Sequence, residues 1–233
     1  MYTSGVTCVR WGGEGYIYSA SRDRTIKVWD EATGAQVRSC QSHGHWVTTM
    51  GLNNDHVLRV GGFDPDPKAD KSGSLYERAK RYYDTFMKGK QEQLVSGSDD
   101  FSLHLWGFLG RGGTSKPITR MVGHQQPVVQ VGFSPNGRLI ASASFDKSVR
   151  LWDAATGKFV VTLRGHVERV YQVCWVRPQA RSVVAPVIAF LRDGLCFAVG
   201  GLAVPVERQQ GLDAQVLGDA DIQGGRGPPR PRG

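Results

Sequence analysis

Three segments of this chain superpose without a gap: SASRDRTIKVWD at 19–30, SGSDDFSLHLW at 96–106 and SASFDKSVRLWD at 142–153. Asp23, Asp100 and Asp146 fall in register, and Trp29, Trp106 and Trp152 follow them by 6 positions. Each segment is preceded by an apolar alternating run, VTCVRW at 6–11, VTTMGL at 47–52 and VVQVGF at 128–133, and a fourth run, VYQVCW, ends at Trp175. A period of two means strands, and a unit repeated in this way means copies stacked on one another. His43, His124 and His166 stand 9 positions before the last residue of their runs, and Tyr2 takes that place in the first copy. The copy at 123–153 is the complete one, with a Ser-Pro-Asn-Gly turn at 134–137 between two apolar runs.

The second copy is interrupted. His43 and Asp100 are 57 positions apart where His124 and Asp146 are 22 apart, so about 35 residues are inserted, over about 54–89. The insertion contains a Pro-rich piece, FDPDPKAD, expected to be extended. SLYERAKRYYDTFMKG follows, in which Ser74 and Glu77 make the capping box of a helix start. Leu75, Ala79, Tyr82 and Phe86 recur at helical spacing, which predicts one amphipathic helix laid on the blade edge.

These residues resemble the WD40 repeat, a Gly-His pair followed some two dozen residues later by Trp-Asp. The pairs here are Gly123-His124 and Gly165-His166, with Ser42-His43 a variant; the endings are Trp29-Asp30, Trp152-Asp153 and the variant Trp106-Gly107. The resemblance implies an all-β fold, an incomplete WD40 β-propeller in residues 1–175 with about three blades plus one strand. One helix is inserted in the second blade, and 176–233 form a non-homologous, poorly ordered tail. Blades run from Val6 to about Cys40, Val47 to Met121 and Val128 to Leu163. The tail holds no lysine and no further Ser-x-Ser-x-Asp turn, and reads as translated intron or frameshifted sequence. The resemblance also implies a buried network in each blade: His124, Ser142, Asp146 and Trp152; His43, Ser96, Asp100 and Trp106; and Asp23 with Trp29.

The order GHW (44–46), GGFDP (61–65), YERAKRY (76–82), LVSGSDDFSLHLW (94–106) and IASASFDKS (140–148) is similar to the C-terminal half of the propeller in the Notchless family, WD40 factors of large ribosomal subunit assembly. That likeness implies a non-enzymatic scaffold in the nucleus and nucleolus. Its partners would be proteins of the pre-60S particle, with rRNA contact also implied, and the AAA ATPase midasin engaged through an N-terminal domain that these residues do not supply. The competing readings are a WD40 adaptor in Notch signalling or ubiquitin-ligase substrate recognition, and a truncated product without function, since three blades leave unpaired strand edges.

Other chemistries find little support. Ser142, His124 and Asp146 suggest a hydrolase triad, but a triad occurs once beside an oxyanion hole, whereas this set recurs with a tryptophan. The glycine clusters at 12–15 and 110–113 lack the Gly-Lys-Ser/Thr of a phosphate loop and belong to turns. Cys8, Cys40, Cys174 and Cys196 have no CxxC or Cys/His metal spacing, so no metal or cofactor is expected. The net charge of +8 is spread without a basic run, only +2 of it in 176–233. No secretory signal or membrane span is apparent. Function is therefore sought on the face where the loops before each first strand meet the turns between second and third strands. Arg22, Trp46, Asp99, Phe145, Glu168 and Arg169 are placed there, and the aromatic and arginine residues among them are of the types that dominate protein interfaces.

Overall fold

A computed structural model describes residues 2–60, 72–107, 109–110, 113, 115–176, 187–192 and 195–199. Each repeat forms one antiparallel sheet of consecutive strands. Blade 1 consists of β1 (Val6–Trp11), β2 (Tyr16–Ser21), β3 (Thr25–Asp30) and β4 (Gln36–Gln41). Blade 2 consists of β5 (Val47–Leu52), β6 (Leu94–Ser98), β7 (Ser102–Trp106) and β8 (Thr119–Val122). Blade 3 consists of β9 (Val128–Phe133), β10 (Leu139–Ser144), β11 (Val149–Asp153) and β12 (Phe159–Leu163). The first strands lie side by side, β1 against β5, β5 against β9 and β9 against the strand after β12, so the blades are arranged around a common axis. Threonine hydroxyls stitch that inner ring: Thr7 donates to the Val47 carbonyl and Thr48 to the Val128 carbonyl.

Burial follows the stacking. Tyr18, Ala20, Ile26 and Val28 of blade 1 pack on Met50, Leu52, Leu94 and Trp106 of blade 2. Val95, Leu103 and Leu105 of blade 2 meet Val131, Ile140 and Trp152 of blade 3. Ala141, Val149 and Leu151 then meet Val170 and Val173. Both faces of blades 2 and 3 are thus buried, which is why β6 and β7 read as near-continuous apolar or small residues. The outer face of blade 1 is open, with Val9 53% and Trp11 60% exposed.

Two expectations need correction. The fourth blade has three strands, not one: β13 (Gln172–Val176), β14 (Val187–Arg192) and β15 (Leu195–Val199) form a sheet in that order. The signal in the sequence is Asp193-Gly194, a dipeptide of hairpin type, between the β-prone runs VIAFLR and LCFAV, and Arg192 pairs with Leu195. Residues 177–186 and 200–233 lie outside the described residues, so a poorly ordered tail is an expectation about those segments alone. The second blade also carries two helices instead of one, α1 (Asp55–Val60) and α2 (Leu75–Met87). Asp55 in the first turn of α1 and Arg59 in its last suit the helix dipole. FDPDPKAD lies outside the described residues.

Helix α2 begins as the capping box requires, Ser74 accepting from the Glu77 amide and Glu77 reaching back to the Ser74 amide. Its packed side is Ala79, Tyr82, Tyr83, Phe86 and Met87, whereas Leu75 at the helix start is exposed. No helix among the described residues is long and apolar enough to cross a membrane.

Candidate functional site

In blade 3 the four repeated side chains meet. His124 Nδ1 lies 2.7 Å from Asp146 Oδ2 and His124 Nε2 lies 2.8 Å from Ser142 Oγ, which also accepts from Trp152 Nε1 at 2.9 Å. Blade 2 repeats this with His43 to Asp100 at 3.2 Å, His43 to Ser96 at 2.7 Å and Trp106 to Ser96 at 2.9 Å. In blade 1 the Tyr2 hydroxyl contacts the Ser19 hydroxyl, Trp29 Nε1 donates to Ser19 Oγ at 2.6 Å, and the Thr3 amide donates to Asp23 at 3.3 Å. Ser19, the blade 1 counterpart of Ser96 and Ser142, was legible from the same register.

The aspartates also build the turns beneath them. Asp146 Oδ1 accepts from the Ser148 amide and hydroxyl, Asp100 Oδ1 from those of Ser102, and Asp23 Oδ1 from those of Thr25. The residue between, Arg24, Phe101 or Lys147, has φ of 66–69°, a left-handed turn held by these bonds. Burial would raise the Asp146 and Asp100 carboxyls, but the donors around them outweigh it and hold both below the usual carboxylate range. Burial lowers the His124 pKa against the pull of Asp146, so the ring is a neutral strut at neutral pH.

This arrangement cannot serve hydrolysis. Ser142 and Ser96 are fully buried, each accepting from its tryptophan indole and hydrogen-bonded to its histidine, so neither is an accessible nucleophile. No group of three or more His, Cys, Asp or Glu side chains that would suit a metal occurs among the described residues.

Two features went unread in the sequence. Two positions before each tryptophan stands a basic or imidazole side chain, Lys27, His104 or Arg150. Lys27 Nζ sits 4.3 Å from the Tyr2 ring, and His104 stacks on His43 at 4.1 Å. His104 is buried with neither ring nitrogen hydrogen-bonded, and burial first, then the neighbouring His43, lowers its pKa to about 4. The unfolded imidazole titrates near 6.5, so the unfolded chain takes up the proton first as pH falls. Stability from the neutral ring is complete above about pH 6.5 and lost down to about pH 4, of order 3 kcal/mol in all. Urea unfolding across that range should show the decline, and His104→Leu should flatten it; an unchanged slope in the variant would contradict the assignment.

The second is Glu92, 1% exposed at the end of the insertion. The Tyr18 hydroxyl of blade 1 donates to it, as do Asn54 Nδ2 at 2.6 Å and the Gly13 amide at 2.9 Å. Burial first, and then the Glu92 charge, push the Tyr18 hydroxyl far above its ordinary pKa, so it stays a donor. Gly12 and Gly13 are required here, because a Cβ would lie 2.6 Å from Glu92 Oε1 or 2.3 Å from the Tyr83 ring.

The residues placed on the loop face form two sets. Arg22 lies over Trp46 at 4.9 Å from blade 1 to blade 2, and His45 bridges Trp46 to Asp99, 5.2 Å between rings and 3.7 Å to the carboxylate. Arg169 lies over Phe145 at 5.1 Å from blade 4 to blade 3, with Tyr171 edge-on to Phe145 at 5.2 Å. Trp46 is 42% and Tyr171 62% exposed. Glu168 is exposed and joins neither set.

Residues 2–30 and 115–153 match the family model "WD domain, G-beta repeat". The chain is 47% identical to "Protein Notchless" of Drosophila melanogaster over 59% of its length and 29% of the relative's. It is 45% identical to "Ribosome assembly protein 4" of Saccharomyces cerevisiae over 55% of its length and 25% of the relative's. Identity to "Notchless protein homolog" of Arabidopsis thaliana is 47% over 71% of the chain and 34% of the relative. The chain therefore spans a quarter to a third of the length of these relatives.

Proposed function

We propose, from the premise that this chain belongs to the WD40-repeat family, that it is a docking scaffold of Notchless type acting in assembly of the large ribosomal subunit, without catalysis of its own. The observation that carries this reading is the 45–47% identity to two relatives named Notchless and to one named ribosome assembly protein 4. The burial of every repeated Ser-His-Asp set agrees with it, since the polar side chains that would suggest chemistry are spent in holding blades. The working place is the nucleus and nucleolus, and the partners are proteins of the pre-60S particle. Contact with rRNA or with midasin is assigned to no residue described here.

The loop face is where docking is placed. Trp46 with Arg22, and Phe145 with Arg169 and Tyr171, offer rigid aromatic anchors, each held by a cation from the neighbouring blade. Co-sedimentation with pre-60S particles on a density gradient tests the reading. Trp46→Ala should weaken association about tenfold or more while thermal unfolding stays near that of the parent, because the ring is half exposed. A Trp46→Ala chain that folds and sediments like the parent would remove this face from the docking surface. Capture by a Notch receptor tail with no particle association would replace the ribosomal reading with the signalling one.

A further inference from the structure

We propose that a recess between blade 3 and the β12–β13 connection binds a phosphoryl group presented on the side chain of a peptide. The recess holds about 240 Å3 and is lined by Lys147, Arg150, Arg164 and His166, with Gln125 and Asp146 on the other wall. Three fixed positive charges thus face one carboxylate. Both oxygens of that carboxylate are already engaged, Oδ2 by His124 and the Gln125 amide and Oδ1 by Ser148, and its single charge leaves the three cations in excess. No acidic side chain forms an ion pair with Lys147, Arg150 or Arg164 among the described residues.

Arg150 is the group the fold prepares. Its guanidinium rests over Phe159 at 5.7 Å and passes so close to Gly123 that a Cβ there would lie 2.3 Å from Nη1. Its Nε is buried with no acceptor among the described residues. Burying a guanidinium nitrogen without a hydrogen bond costs free energy that an anionic ligand in the recess would recover. Lys147 is held over the opening by the left-handed turn at φ 67°, and Arg164 is exposed at the other lip. Planar, multidentate donors of this kind suit a phosphate oxygen fork.

A phosphomonoester is favoured over an RNA backbone because the cations converge on one recess of about 240 Å3 instead of following a track. A dianion on a flexible stem can enter it, whereas a phosphodiester brings one charge on a bulky chain. The site is independent of the ribosomal reading and would stand without it.

Amide spectra of the full chain, titrated with blocked phosphothreonine, blocked threonine and a short oligouridine, test the site. Phosphothreonine should shift the Lys147, Ser148 and Gly165 amides saturably and threonine should not. Arg164→Gln, an exposed change that preserves the fold, should weaken the effect about tenfold, and Arg150→Gln by at least as much. If Arg150→Gln does not fold, Arg164→Gln decides alone. Absence of saturation, or equal binding by Arg164→Gln, overturns the proposal. Oligouridine moving these amides while phosphothreonine does not would overturn the peptide source in favour of RNA.

Discussion

Replacing Asp146 by alanine should lower the unfolding free energy by about 3–4 kcal/mol, a large share of what a domain of this kind possesses. The carboxylate is 9% exposed and accepts from His124, the Gln125 amide, and both the amide and hydroxyl of Ser148. Its removal leaves a fully buried imidazole without its acceptor and releases the left-handed Lys147 turn. Each hydrogen bond to a charged acceptor is worth about 1.5–3 kcal/mol, and a stranded buried donor adds its own desolvation cost. Asp153→Ala is the control: its carboxylate also accepts turn amides, from Ala155 and Thr156, but in contact with solvent, and should cost about 1 kcal/mol or less. Urea unfolding of the two variants separates them; equal stability would mean that the buried network is not what holds the blade. Both native carboxyls, Asp100 and Asp146, titrate below their unfolded value. Their contribution is therefore present above about pH 4 and lost as pH falls through the lower folded values.

Glu92→Ala should destabilise the chain by about 3 kcal/mol or more, because three donors from two blades lose one acceptor. Tyr18 sits inside the blade 1–blade 2 core, so the loss falls on that interface as well as on the docking of α1 and α2. Glu92→Gln keeps an acceptor for Tyr18 but sets an amide group against the donors of Asn54 and Gly13, and should lie between parent and alanine variant. Limited proteolysis gives the local readout: cleavage within the insertion should accelerate in Glu92→Ala, and an insertion as resistant as in the parent would refute the clamp.

The sequence made the blades legible because their constraints are local and repeated. The period of two marks β1, β5, β9 and the run entering β13, and the fixed spacing from Asp146 to Trp152 marks the tight turn and the third strand. Ser142 and Ser96 could be placed because the resemblance to the WD40 repeat implies a serine in each network. What escaped was pairwise and long-range. Glu92 meets Tyr18 and Gly13 across 74 and 79 positions, and no pattern near Gln91-Glu92-Gln93 points to blade 1. The residue two positions before each tryptophan changes chemistry from Lys27 to His104 to Arg150, so identity alone hides the constant position. β14 and β15 carry no Ser-x-Ser-x-Asp turn and so fall outside the repeat, and their one local signal is the dipeptide Asp193-Gly194.

Native-state hydrogen exchange of the 233-residue chain beside Asp146→Ala tests most directly whether these blades form a self-supporting scaffold. The second and third strands of blades 2 and 3, β6, β7, β10 and β11, should exchange slowest, and Asp146→Ala should raise exchange first in β10 and β11. Exchange of all these strands at the rate of an unfolded chain would contradict it, and would make the product one that does not fold on its own.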